Sequence, residues 1–232
     1  MEIKMTFAKQ LITATAFSLV AGTASAALVQ AGPTQIQTVE RTATTWDRTF
    51  TFNLYNAADF GGRELQKVEL TLEGLSFTTF EITPTSFVLS AEGEFGANIY
   101  STVSVGGPTL DIDVSPKKEA NAYNLVAGQT HSFGDLEGQD FDSAEVTEAS
   151  QVANFAGNGT FTVDLDATAR ISLQVIGGNY RSEQASFASA TYTVKYFIEE
   201  AANDPAQVPA PGSLALLGAG LLAFSARKKK AK

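Results

Sequence analysis

The chain has 232 residues, with 16 basic and 25 acidic side chains, a net charge of −9, one histidine and no cysteine. The lack of cysteine excludes disulfides, thiol catalysis and cysteine zinc sites, and a lone His131 excludes a multi-histidine metal centre within one chain. The acidic balance excludes nucleic acid as a main partner, because phosphate backbones repel such a surface.

Residues 1–26 read as a secretory signal. Lys4 and Lys9 supply a basic start and residues 11–20 an apolar stretch. Ala24-Ser25-Ala26 is a small-x-small cleavage site, which makes Ala27 the first mature residue. The tail from 208 is a second segment outside the fold. What remains, 27–207, is 181 residues with nine basic and 24 acidic side chains, a net charge of −15. That length suits one domain with a sizeable core.

Within the body, period-two alternation recurs. Residues 46–54 place Trp46, Phe50, Phe52 and Leu54 on one face, and Val68-Glu-Leu-Thr-Leu-Glu73 alternates cleanly. Residues 161–175 keep period two for fifteen positions and are expected to bend, to carry a bulge or to form two strands in line. Residues 192–198 alternate again. Such runs predict antiparallel strands with one face on a core and one in water. Turn signals fall at Gly61-Gly62, Gly74, Pro84, Gly93, Gly106-Gly107-Pro108, Asn158-Gly159 and Gly177-Gly178-Asn179. Residues 144–155 are the one short helix expected. The economical architecture is an all-β antiparallel β-sandwich over 27–200, with a closed barrel as the alternative. Residues 201–207 read as a polar linker.

Five carboxylates crowd the stretch from Asp135 to Glu145. Calcium takes six to eight oxygen ligands, often from a flexible acidic loop. Asp135, Glu137, Asp140 and Asp142 are therefore the candidate ligands, although Asp140 stands where an EF-hand needs glycine. The competing reading is a solvated acidic loop, and no other cofactor is expected. Asp111/Asp113 and Asp164/Asp166 each put two carboxylates on one strand face, a spacing that glycoside hydrolysis uses, but on a face open to water. His131 near Ser132 and Asp135 lacks a nucleophile elbow and reads as a loop histidine. Asn158-Gly159-Thr160 reads as a turn joining two strands rather than a glycosylation site. Tyr55, Tyr100, Tyr123 and Tyr180 fall near predicted loops, where they could stack on sugar rings, whereas Trp46 reads as core.

The C-terminal stretch has three parts. Val208-Pro209-Ala210-Pro211 leads in, residues 214–224 are apolar, and Arg227, Lys228, Lys229 and Lys230 form a basic end. Fourteen uncharged helical residues would reach about 21 Å, short of the ~30 Å hydrocarbon core, and lysines that snorkel recover some length. The basic end stays cytoplasmic, leaving the body outside. This layout resembles the PEP-CTERM sorting signal, with Pro209-Ala210-Pro211 where that family usually has Pro-Glu-Pro. The resemblance implies a membrane processing enzyme of the exosortase type, transient or stable tethering by the C-terminal helix, and delivery to the cell surface or matrix of an exopolysaccharide-producing cell. The body resembles the exported choice-of-anchor domains of type E, through residues 44–50, 159–163 and 191–196. That resemblance implies a β-rich surface domain and brings no catalytic residues. The combined expectation is a non-enzymatic surface or matrix protein with an adhesive role beside exopolysaccharide. The alternatives are a calcium-stiffened carbohydrate-binding module and a surface-polymer hydrolase.

Overall fold

A computed structural model describes residues 27–107 and 109–201. Two five-stranded antiparallel sheets pack face to face, as alternation required. The first sheet runs β1–β10–β4–β8, with β2 also on β10: β1 (Leu28–Gln30), β2 (Gln35–Ala43), β4 (Leu65–Pro84), β8 (His131–Val146) and β10 (Tyr180–Glu199). The second runs β3–β9–β5–β6, with β7 also on β5: β3 (Trp46–Asn53), β5 (Val88–Ser104), β6 (Leu110–Val114), β7 (Lys117–Leu125) and β9 (Thr160–Gly177). The sandwich, not the barrel, is the outcome.

Four strands of 17 to 20 residues (β4, β5, β9 and β10) form the spine. The alternating run 161–175 lies inside β9, one uninterrupted 18-residue strand rather than two. The irregularity sits in its partner, where Leu89 of β5 is an extra residue between the Val88 and Ser90 pairings. Trp46, Phe50 and Phe52 are buried as the pattern required. The ends of the spine differ. At the base, β10 finishes beside β1, and the Glu200 N–H donates to the Ala27 carbonyl at 2.7 Å. At the tip, the β4–β5 and β9–β10 turns meet, with Thr85 N–H bonded to the Asn179 carbonyl at 2.7 Å. A 20-residue β10 separates these ends by roughly 60 Å.

The core is divided accordingly. A large cluster at the base holds Leu70, Leu72, Ile99, Phe52, Phe155 and Tyr192, and a smaller one at the tip holds Phe80, Ile82, Val88, Phe95 and Leu136. A waist of small and polar residues lies between them. Ser76 and Thr78 are each 1% exposed, and Ser76 Oγ donates to the Pro116 carbonyl at 2.9 Å. Gly74 is not a turn but sits mid-strand in β4, where a Cβ would come within 2.7 Å of Val114 and 2.8 Å of Ile99. Gly93, also expected at a turn, pairs within β5, and a Cβ there would meet the Phe95 ring at 2.6 Å. At Gly138 of β8 a Cβ would run into the Lys117 backbone of the other sheet, so the two sheets meet across this glycine, while at Gly96 of β5 it would run into the Pro116 carbonyl and Lys117 at the start of its own neighbour β7.

Both long sides of the base are closed. On one side β2 passes from the first sheet to β3 of the second through Thr44-Thr45. Gln35 then staples the two edges with its amide, accepting from Asn53 N–H at 2.8 Å and donating to the Asn53 carbonyl at 2.9 Å, while Gln37 donates to the Thr51 carbonyl. Side-chain amides thus satisfy an edge that would otherwise be free. On the other side the Asp140 carboxylate accepts from Ser115 N–H at 2.8 Å and ties β8 to the β6–β7 corner.

The expected helix over 144–155 is mostly absent. Residues 144–146 finish β8, a single α turn α1 covers Ala149–Val152, and a 3-10 turn covers Ala153–Phe155. Val152 and Phe155 turn inward to plug the base. Asn158-Gly159 accordingly follows this helical segment and leads into β9, so it does not join two strands.

Candidate functional site

The acidic stretch expected as a loop is strand β8, because residues 131–146 pair along β4. Alternation then splits the candidate calcium ligands. Asp135 and Glu137 project outward beside Thr79 and Phe77, while Asp140 and Asp142 lie on the opposite face beside Gly74 and Leu72. Asp140 is committed to Ser115 and Phe141 N–H groups, and Asp142 to Ser143 N–H at 2.8 Å. Among the described residues no group of three or more His, Asp or Glu side chains is gathered as a metal site. His131 opens β8 and packs edge-on against Phe133 at 5.0 Å, a strand position rather than a loop.

The paired aspartates are where the structure adds most. Asp164 and Asp166 lie on the outer face of β9, and Asp111 and Asp113 on that of β6, as exposed as alternation suggested. β5 runs between them. Register sets Asp166 opposite Tyr100 and Tyr100 opposite Asp113, while Asp47 of β3 flanks Asp166 from the far side. The next row reads Thr49, Asp164, Thr102, Asp111. Thr49 donates to Asp164 at 2.6 Å and Thr102 to Asp111 at 3.0 Å, so each of these carboxylates is steadied by a cross-strand hydroxyl. Five aspartates therefore share one face around an exposed tyrosine. The ion pairs of the described residues lie elsewhere, on Glu69, Glu94 and Glu145.

Along this same face towards the tip come Asn98 and Thr168, then Glu94 between Lys117 and Arg170 at 2.6 and 2.8 Å. The Lys117 hydrogen bond, with Arg170 beside it, holds the Glu94 carboxyl below its ordinary range. Beyond it Glu92, Asn121 and Gln174 line an open depression with Glu119 and Ser172. Tyr123 closes the face, its hydroxyl 3.4 Å from Glu92. Tyr100 is 44% exposed and Tyr123 58%.

The remaining tyrosines divide. Tyr180 is exposed at the tip, but Tyr55 is buried, stacked on Phe60 at 5.1 Å and donating to the Arg63 carbonyl at 2.7 Å, so it is no surface platform. The exposed tyrosines stand on strands, not loops; their polar strand neighbours had disguised them. Burial raises the hydroxyls of Tyr55, Tyr192 and Tyr196 above the ordinary tyrosine range, Tyr196 while donating to the Asn53 carbonyl at 2.7 Å. An apolar-walled recess at the base, about 400 Å³, lies between Tyr55, Leu65 and Val152 with Glu64 and Gln66 at its rim.

Of the cleavage site, Ala24 and Ala26 lie outside the described residues, as does the whole tail from Val208 to the basic end; Ala27 is described and already hydrogen-bonded into the sheet. Among the described residues no helix is long and apolar enough to cross a membrane.

Comparison with known proteins bears on the tail. No curated protein matches the chain. Among solved structures, one of infectious bursal disease virus Gx strain is 14% identical over 77% of this chain and 38% of its own, with a TM-score of 0.18. The VP2 subviral particle of the same virus is 15% identical over 88% of this chain and 50% of its own, with a TM-score of 0.13. The chain thus spans half or less of the length of these proteins, and such scores carry no argument. The all-β body fits the choice-of-anchor resemblance in class, without a match to a model of that family. Residues 207–230, by contrast, match the family model described as the PEP-CTERM protein-sorting motif, one residue ahead of the segment read from sequence. The chain carries a PEP-CTERM protein-sorting motif, and with it the mark of an exported, membrane-associated protein sorted by exosortase.

Proposed function

We propose that this is a non-enzymatic cell-surface or matrix protein that associates with exopolysaccharide through the outer face of the β3–β9–β5–β6/β7 sheet. The observation that carries the reading is the placement of Tyr100 and Tyr123 at the two ends of one strand-built face, with amides and carboxylates between them. Sugar rings stack on aromatic faces and exchange hydrogen bonds with amide and carboxylate groups, so a regular strand face suits an extended polymer better than a small molecule. Ten residues of β5 between the rows of Ser90 and Tyr100 span about 33 Å, room for several sugar units. The sorting motif supports the setting, because it takes the chain out of the cytoplasm.

The test is co-sedimentation of the exported protein with exopolysaccharide from the producing cells. Tyr100→Ala with Tyr123→Ala is expected to abolish retention, while Phe141→Ala, 72% exposed on the opposite sheet, leaves it intact. Equal retention of all three would sink the reading. Shortening of the polymer by the native protein, lost in Asp166→Asn, would establish the hydrolase alternative instead.

A further inference from the structure

The side of the sandwich that β2 and β3 close at the base is open at the tip. β2 stops at Ala43, opposite Phe187, and the Ser186 carbonyl takes the last bonds on that side, from Thr44 N–H at 3.0 Å and Thr44 Oγ1 at 3.1 Å. Residues 180–185 of β10 are therefore paired with β4 alone among the described residues, and all six are exposed. Their free edge has a definite parity. The carbonyls of Ser186 and Tyr196 both point to the β1/β2 side, so even-numbered residues direct their peptide groups there. Tyr180, Ser182 and Gln184 thus offer N–H and C=O groups outward.

We propose that this edge pairs antiparallel with the same edge of a second copy, on a two-fold axis through Ser182. Three observations select that occupant. First, the parity fits: Ser182 meets Ser182 of the second copy, and Tyr180 meets Gln184, all with outward peptide groups, giving about six backbone hydrogen bonds. Second, the charges are self-complementary, since pairing about Ser182 sets Arg181 of each copy opposite Glu183 of the other. Third, Glu183 needs that cation: it faces Glu81 directly across β4, a like-charge pair, and the ion pairs of the described residues involve neither. The second sheet is open at the same level. Phe80 touches Phe95 at 4.7 Å, which aligns Gln184 with Ile171, and β9 beyond Ala167 has no β3 beside it. A second copy here also covers half-buried Ile171 and Leu173.

Antiparallel pairing points the C-terminal ends of the two β10 strands in opposite directions.

The test uses the absence of native cysteine. Full-length Ser182→Cys is produced in two cell populations with different tags, which are mixed and then oxidised. Disulfide dimers carrying both tags are expected, and none from Ser143→Cys on β8. Arg181→Glu should lower the dimer fraction about tenfold through like-charge opposition, and adding Glu183→Arg should restore it. No dimer above the Ser143→Cys level, dimers only of like tag, or a double swap no better than Arg181→Glu would overturn the proposal.

Discussion

The base and the tip of this sandwich are built from the same four long strands yet finish them differently. At the base 29 buried residues form one cluster, both long sides are sealed, and the first described strand, β1, pairs with the end of the last, β10. At the tip the buried cluster has eight members, and of the ten large apolar side chains left exposed among the described residues six gather there: Phe87, Leu89, Tyr123, Val126, Ile176 and Tyr180. One long side is open. The inner face of β10 changes from Tyr192, Ala190 and Ala188 to Ser186, Gln184 and Ser182 as it passes the waist. The strand pattern continues, but apolar burial does not. Strand pairing extends a structure further than its core does, and the excess is surface available for contacts.

The comparison breaks first at the waist. Gly138→Ala places a methyl into the Lys117 backbone, and Gly96→Ala places one against the Pro116 carbonyl; neither neighbour is a side-chain end that can swing away. Each variant is expected to lose more than about 3 kcal/mol or fail to fold, measured by urea denaturation. Gly128→Ala, in open space but at φ 78°, should cost only its backbone strain. Equal stability of Gly138→Ala and wild type would refute the close approach of the sheets.

Next come the two cores. Leu70→Ala and Ile82→Ala each remove a fully buried side chain, from base and tip respectively, and should cost about 2–5 kcal/mol locally. The base variant is expected to lower the single melting transition of the whole domain. The tip variant should mainly accelerate hydrogen exchange in 168–177 and 180–185, where free edges adjoin a thin core. Matching exchange profiles for the two variants would mean that waist and base melt as one with the tip.

Alkali sharpens the contrast, because the three buried tyrosines all belong to the base. Their raised ionisation means that the folded state holds the neutral phenol while the unfolded chain releases its proton near pH 10. The stability they contribute is complete below about pH 10 and is lost as pH rises through the folded-state values. Absorbance at 295 nm should therefore show a tyrosinate step that coincides with loss of the β circular dichroism signal. Tyr192→Phe should move that transition upward, since among the described residues its hydroxyl makes no hydrogen bond of good geometry, the neighbouring Ser101 hydroxyl donating to the Ile112 carbonyl instead. A tyrosinate step complete before any loss of structure would show that these rings are not buried.

Much of this was legible in the sequence. Alternation around Phe50, Leu70, Val163 and Val194 announced strands, their inward faces and the sheet-on-sheet class, because period two reports burial directly. The glycines misled. Gly74 and Gly93 look like punctuation, yet Gly74 is small because the other sheet comes close, a tertiary cause that leaves no local trace, and Gly93 because the Phe95 ring two residues on folds back over it. The acidic run 135–145 looked like a loop for a related reason: β8 is an edge strand with one solvated flank, so its alternation is diluted by charge. The aspartate face was half visible. Asp111/Asp113 and Asp164/Asp166 were each recognisable as strand pairs, but only the register of β5 between β6 and β9 brings them around Tyr100.

The smallest effect separates the base and tip from the acidic strand that runs along both. If Asp135, Glu137, Asp140 and Asp142 bound calcium together, binding to the folded state alone would raise the melting temperature with calcium concentration. Strand geometry sends these carboxylates to opposite faces, and Asp140 already serves as the acceptor that fastens β8 to Ser115. Exchange from chelator into millimolar calcium is therefore expected to move the midpoint by less than about 1 °C. Asp140→Ala should lower it by several times that in either buffer, because it strands the Ser115 N–H. A calcium-dependent rise that disappears in Asp140→Ala would mean that the carboxylate exchanges its corner bond for a metal, and that β8 is an adjustable edge rather than a fixed one.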